Sequence, residues 1–137
     1  MILVDTNVWS EAARVAPDPR VRTWAMTNAP RLWLSTIVLA ELRGGAAMMP
    51  DGKRRASLSE LIDAIASEHE DRLVPFGEPE TRFYGVVLAA AKRAGKPVQI
   101  ADAMIAATAL AHGLSVATRD IAGFAGTGVS LINPWED

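Results

Sequence analysis

Short apolar runs alternate along this chain with longer segments of helical periodicity. Five apolar runs predict strands, at residues 2–4, 32–34, 73–76, 114–117 and 130–132. Between them, apolar residues recur every three or four positions and predict helices over 8–13, 21–28, 36–45, 53–70, 78–94 and 99–112. Strands that alternate with helices indicate an α/β fold, with a mainly parallel central sheet of about five strands and helices on both faces.

Polar and glycine residues mark where several of the predicted helices begin and end. Ser35 is the expected N-cap of the third helix, because its hydroxyl can accept a hydrogen bond from the first turn. The pair Gly44–Gly45 is expected to end or loosen that helix. Gly95 and Gly113 are expected to end the two helices that precede them.

Composition narrows the class of protein. A chain of 137 residues suits one domain, expected to cover residues 1–137. The net charge of −2 provides no broad basic surface for nucleic acid, and the absence of cysteine excludes disulfides and thiolate metal sites. The longest apolar stretch, 103–111, is far shorter than the roughly 20 residues that span a membrane, and no targeting segment is evident. These features favour a cytoplasmic protein with no membrane segment.

Two carboxylates follow predicted strands. Asp5 comes directly after the run 2–4, and Asp120 follows the run 114–117 by way of Thr118 and Arg119. Ligands of open α/β sheets bind at the carboxyl ends of the strands, so both acids are candidates for a functional site. The alternative for each is a structural role, as a turn or N-cap residue for Asp5 and as the N-cap of a short helix for Asp120.

Two further carboxylates lie on predicted helices. Glu41 has apolar or small neighbours three and four positions away, so its carboxylate lies either in a cleft or at the edge of this stripe, where it reaches water. Asp102 begins an apolar face that continues through Ile105, Ala106 and Ala109. That position points towards the sheet, although an acid near a helix N-terminus is also stabilised by the helix dipole.

If the fold brings these four acids to one rim, their charges need compensation. Two like charges 4 Å apart repel by about 1 kcal/mol in water and about 4 kcal/mol at an effective dielectric constant of 20. Oxygen ligands alone select hard divalent cations such as Mg²⁺ or Mn²⁺. An acid-lined site of this kind is typical of phosphodiester hydrolysis.

Four short motifs together resemble the PIN-domain ribonucleases, and in particular the VapC and FitB toxins of bacterial toxin–antitoxin pairs. The similarity covers essentially the whole chain in the expected order. The motifs are Asp5-Thr6-Asn7 after the first strand, Ser35-Thr36 followed by Glu41-Leu42, Ala101-Asp102 at the start of an alanine-rich helix, and Thr118-Arg119-Asp120 after a strand.

The resemblance implies a Mg²⁺- or Mn²⁺-dependent endoribonuclease that a small antitoxin of the VapB or FitA kind holds inactive. It also implies a homodimer, and a higher assembly with antitoxin and DNA. By position, Asp5 and Asp102 would be the principal metal ligands, and Glu41 and Asp120 would complete the acidic site, with Asp120 as a further metal ligand. The same resemblance gives supporting roles to Thr6, Asn7 and Thr118.

The chain departs from the family pattern at one point. Relatives often read Thr-Arg-Asn-x-x-Asp-Phe here, whereas this chain has Asp120 in place of the asparagine and Gly123 in place of the later acid. This shift motivates an alternative function, a catalytically weak PIN fold that serves as a protein-binding scaffold. A phosphohydrolase with an aspartyl nucleophile is a third alternative, but it would need an acid at position 7, where this chain has Asn7.

Overall fold

The central sheet has five strands, all parallel. The computed structural model describes residues 1–136. Its strands are Ile2–Val4 (β1), Leu32–Ser35 (β2), Leu73–Val74 (β3), Ser115–Ala117 (β4) and Leu131–Ile132 (β5). They lie in the order β3-β2-β1-β4-β5, so β1 is central and pairs with β2 on one side and β4 on the other. The predicted α/β class is therefore confirmed, with a sheet that is wholly parallel.

Helices cover both faces of this sheet. They are Thr6–Ala12 (α1), Pro19–Asn28 (α2), Thr36–Ala47 (α3), Lys53–Glu68 (α4), Glu78–Ala94 (α5), Ile100–His112 (α6) and Ile121–Phe124 (α7). Successive side chains of a strand point to opposite faces, so β1 contributes side chains to two separate cores. Leu3 packs into the core formed with α3, α4, α5 and α6, whereas Ile2 and Val4 pack on the other face with residues of α1 and α2.

Three predicted helix boundaries are confirmed, one N-terminal and two C-terminal. The Ser35 hydroxyl accepts hydrogen bonds from the backbone N–H groups of Ile37 (3.0 Å) and Val38 (3.3 Å), and so caps α3. Gly95 and Gly113 follow α5 and α6 with φ angles of 65° and 66°. This left-handed conformation favours glycine because a side chain would be strained there.

The prediction that Gly44 and Gly45 end or loosen the third helix is wrong. The helix α3 continues through both glycines to Ala47, and neither glycine has a positive φ. The reason is tertiary packing, because Leu42 and Ala46 on either side of the pair are buried in the core and keep the helical face in contact with it.

The first helix begins earlier than the apolar pattern predicts, and this places it next to the end of β1. Asp5 accepts a hydrogen bond from the Thr6 backbone N–H at 2.8 Å and is the N-cap of α1. The chain therefore passes from strand to helix with no intervening loop. The helix α3 packs against both α1 and α6, so side chains from all three helices meet above the carboxyl end of the sheet. No helix within residues 1–136 is long and apolar enough to cross a membrane.

Candidate active site

A cleft of about 490 Å³ opens at the carboxyl end of β1. Six of the seven predicted site residues line it, and the seventh, Thr118, lies behind Asp5. The lining residues are Asp5, Thr6, Asn7, Ser10, Glu11, Arg14, Glu41, Gln99, Asp102, Arg119, Asp120 and Trp135.

Asp5 is buried at the base of this cleft and is 5% exposed. One carboxylate oxygen accepts from the Thr6 N–H at 2.8 Å, and the other accepts from the Thr118 hydroxyl at 2.8 Å and the Asn7 amide at 3.2 Å. Burial raises the pKa of Asp5, and the hydrogen bonds from Thr118 and Thr6 oppose that shift. The charges of Glu41 and Asp120 add smaller contributions in the raising direction.

Thr118 and Asn7 tie the ends of β1 and β4 together. The Asn7 amide donates to the Thr118 hydroxyl at 3.2 Å, and its carbonyl oxygen accepts from the Arg119 backbone N–H at 3.1 Å. The same Thr118 oxygen accepts from the Asp120 backbone N–H at 3.0 Å. These contacts fix the backbone on which Asp120 stands relative to Asp5.

Glu41 reaches the cleft from α3 and is exposed to solvent. Its position matches the alternative that the residue lies at the edge of an apolar stripe and reaches water. Its carboxylate nevertheless accepts a hydrogen bond from the Thr6 hydroxyl at 2.7 Å. Thr6 thus holds Glu41 with its side chain while its backbone binds Asp5.

Asp102 lies in the first turn of α6 and points into the same cleft. Burial raises the pKa of Asp102 to about 6, and the negative charges of Asp5, Asp120 and Glu41 contribute to the shift. No hydrogen bond from the described part of the chain offsets these effects. Asp102 is therefore a carboxylate whose charge the surrounding protein leaves uncompensated.

Asp120 lines the cleft and also caps α7. Its carboxylate accepts a hydrogen bond from the Gly123 backbone N–H at 3.0 Å. Its charge contributes to the raised pKa values of both Asp5 and Asp102, so it is electrostatically coupled to the other acids. The two roles that the sequence leaves open for Asp120, helix cap and site residue, are compatible.

The cleft also contains groups that were not predicted as site residues. The Arg119 guanidinium lies 5.0 Å from the centre of the Trp135 ring, in a cation–π contact. Arg14 forms an ion pair of 3.3 Å with Glu11, which is buried. The sequence could have indicated Arg119 as a site residue, because it stands between two predicted site residues, Thr118 and Asp120. Glu11 and Arg14 carry no comparable signal in a single sequence.

The donor set fits a hard divalent cation. The acidic ligands that line the cleft are carboxylates, and the charges of Glu41 and Asp120 contribute to the raised pKa values of Asp5 and Asp102. Within residues 1–136 no three acidic or histidine side chains already converge closely enough to hold one ion. The fit therefore rests on the chemistry of the carboxylates and not on a preformed coordination geometry.

Comparison with known proteins decides the family. A family model described as PIN domain matches residues 2–128, a span that contains all seven predicted site residues. The chain belongs to the PIN domain family. The resemblance inferred from the motifs is therefore confirmed.

Relatives of this PIN domain match it over nearly their full lengths. It is 44% identical to the "VapC ribonuclease Y4jK" of Sinorhizobium fredii, with 99% of each chain covered. It is 42% identical to "Toxin FitB" of Neisseria gonorrhoeae, with 100% of each chain covered. Among solved structures, "Structure of FitAB bound to IR36 DNA fragment" matches with a TM-score of 0.92 and 40% identity, covering 98% of this chain and 96% of that one.

The raised pKa of Asp102 predicts that Asp102→Asn stabilises the metal-free PIN domain. Since the folded state disfavours the charged carboxylate, the gain in unfolding free energy is present above pH 6 and disappears as the pH falls towards 4. One pKa unit corresponds to about 1.4 kcal/mol, and partial solvent exposure reduces the expected gain at pH 7.5 to about 1 kcal/mol. Urea unfolding in EDTA from pH 4 to 8 measures it.

Asp63→Asn is the matched control, because Asp63 is an exposed aspartate whose ion pair with Arg43 lies on the surface. This variant should change the unfolding free energy by less than about 1 kcal/mol at every pH. An Asp102→Asn variant that is no more stable than the wild type at pH 7.5 would contradict the electrostatic description of the cleft.

Proposed function

We propose that this PIN domain is a divalent-metal-dependent endoribonuclease and the toxin of a toxin–antitoxin pair. The observation that carries the proposal is the single cleft shared by Asp5, Glu41, Asp102 and Asp120. Relatives named as a VapC ribonuclease and as a toxin support the reaction class and the biological role. Location in the cytoplasm stays a prediction.

Asp5 and Asp102, together with Asp120, would hold a Mg²⁺ or Mn²⁺ ion, and Glu41 would complete the acidic group. When bound, the ion would supply the positive charge that stabilises a phosphodiester under attack and that lowers the pKa of a water molecule. Asp5 suits the role of a fixed ligand, because Thr6, Asn7 and Thr118 hold its carboxylate. Asp102 suits the role of an adaptable one, because its carboxylate lacks such restraints.

The remaining polar groups of the cleft would orient the acids and the RNA. Thr6 keeps the exposed Glu41 carboxylate at the cleft edge through its hydroxyl. Arg14 and Arg119 bring positive charge to the rim of an otherwise acidic cleft, where an RNA phosphate would approach. Their guanidinium groups would reduce the repulsion between the RNA backbone and a protein of net charge −2.

The toxin role implies a partner. We propose that a small antitoxin of the VapB or FitA kind binds this chain and blocks the cleft, and that the pair assembles further on DNA. The support is the 40% identity to a chain of the FitAB structure, which is described as bound to a DNA fragment. Homodimer formation is proposed from the family resemblance alone.

The alternative function is a protein-binding scaffold with weak or no catalysis. Two observations favour it: Gly123 stands where relatives often carry an acid, and no three acids of the described chain converge on one point. The two functions differ in one measurable property, since only the nuclease requires a cation in the cleft.

The nuclease proposal predicts RNA cleavage that depends on the cation and on Asp5 and Asp102. Purified, antitoxin-free protein should cut a mixed pool of structured and single-stranded RNA with Mg²⁺ or Mn²⁺, and should be inactive with EDTA. Asp5→Asn and Asp102→Asn should each reduce the rate by at least about 100-fold, because each removes a charged ligand that stabilises the reaction. The surface variant Asp63→Asn should keep the wild-type rate. Cleavage that persists in both site variants would contradict the assignment.

The same proposal predicts that Mn²⁺ stabilises the wild-type fold without RNA. A ligand present at 100 times its dissociation constant raises the unfolding free energy by about 2.7 kcal/mol. Asp102→Asn should lose most of this increase, although it is the more stable protein in EDTA. Thermal unfolding with and without Mn²⁺ measures the difference. A wild-type protein with the same Tm under both conditions would favour the scaffold function.

A further inference from the structure

Gly123 and the Asp120 side chain are packed together at the start of α7. The Gly123 backbone N–H donates to the Asp120 carboxylate at 3.0 Å. A Cβ atom built on Gly123 would lie 2.8 Å from the Asp120 Cγ and would overlap its Oδ2 oxygen. The Asp120 carboxylate therefore occupies the space in which any other residue at position 123 would place its side chain.

The backbone of Asp120 has little freedom to relieve such an overlap. Its N–H donates to the Thr118 hydroxyl at 3.0 Å, and the same hydroxyl donates to the buried Asp5 carboxylate. A side chain at position 123 would therefore displace the Asp120 carboxylate by rotation about its side-chain bonds. Such a rotation breaks the hydrogen bond to the residue 123 N–H and moves one of the four acids of the cleft.

We propose that Gly123 is a positioning residue of the acidic site. Because position 123 has no side chain, the Asp120 carboxylate can occupy that space and lie in the cleft with Asp5 and Asp102. This inference deepens the proposed function and rests on it, because it matters only if the cleft binds a cation. It also gives a physical role to a glycine whose backbone conformation does not itself require one, since its φ is not positive.

If the role of Gly123 were purely structural, Gly123→Ala would lower the Tm. If Gly123 positions Asp120, the variant would change the cation site and leave the Tm almost unchanged. The atoms that a new Cβ would meet belong to the free end of an exposed side chain, so the fold can accommodate alanine by moving that carboxylate. Alanine is also a better helix former than glycine. Gly123→Ala should therefore keep the Tm within a few degrees of wild type while it changes the cation site.

The test is titration of the full chain with Mn²⁺ alone, by isothermal calorimetry, for wild type, Gly123→Ala, Asp120→Asn and the double variant. Gly123→Ala should weaken Mn²⁺ binding by about tenfold, the low end of the range for residues that orient metal ligands, and Asp120→Asn, which alters a proposed ligand, should weaken it at least as much. The double variant should bind no more weakly than Asp120→Asn, because both changes act on one carboxylate. Gly85→Ala, at an exposed helical glycine with open space around it, is the control and should match wild type.

Wild-type affinity in Gly123→Ala would overturn the positioning role, and so would losses that add in the double variant or an Asp120→Asn variant with unchanged affinity. A wild-type chain that binds no Mn²⁺ would instead refute the metal site of the proposed function. In that case a crystal structure of Gly123→Ala still tests the geometry. A displaced Asp120 carboxylate would support the positioning role, and an unmoved one would overturn it.

Discussion

The hydrogen bonds around the buried Asp5 carboxylate are the constraint on which the rest of the site depends. A carboxylate that is 5% exposed is costly unless its oxygens are satisfied, and here Thr6, Asn7 and Thr118 satisfy them. The Thr118 hydroxyl comes from the end of the neighbouring strand β4, so one buried charge joins two strand ends and the start of α1. The Thr118 oxygen then holds the backbone of Asp120, which extends the same network to α7.

This arrangement concentrates negative charge in a cleft whose two arginines are engaged elsewhere, Arg14 in an ion pair with Glu11 and Arg119 over the Trp135 ring. Asp102 is affected most, since its pKa is raised to about 6 and no hydrogen bond opposes the shift. A fold optimised for stability alone would replace such an acid with a neutral residue. Such unfavourable electrostatic surroundings are typical of functional sites, where a bound ligand compensates the charge. Under the proposed function, the cleft would give up stability of the metal-free protein in return for affinity towards a divalent cation.

Much of the fold could be predicted from the sequence, because the apolar runs and helical periodicity agree with the final structure at every strand. The grouping of the acids also followed, since Asp5 and Asp120 come after neighbouring parallel strands. Two features depended on long-range packing and could not be predicted. The helix α3 passes through Gly44 and Gly45 because the core holds it, and the fit between Asp120 and Gly123 involves atoms whose approach only the folded backbone defines.

We propose that Asp5 and Asp102 hold a divalent cation at the carboxyl end of the sheet. The most direct measurement is the anomalous scattering of a crystal of the wild-type protein grown with Mn²⁺. We predict a strong anomalous peak in the cleft, within about 2.5 Å of carboxylate oxygens from both residues. A cleft without a peak at saturating Mn²⁺, or a peak bound by other residues, would contradict the account.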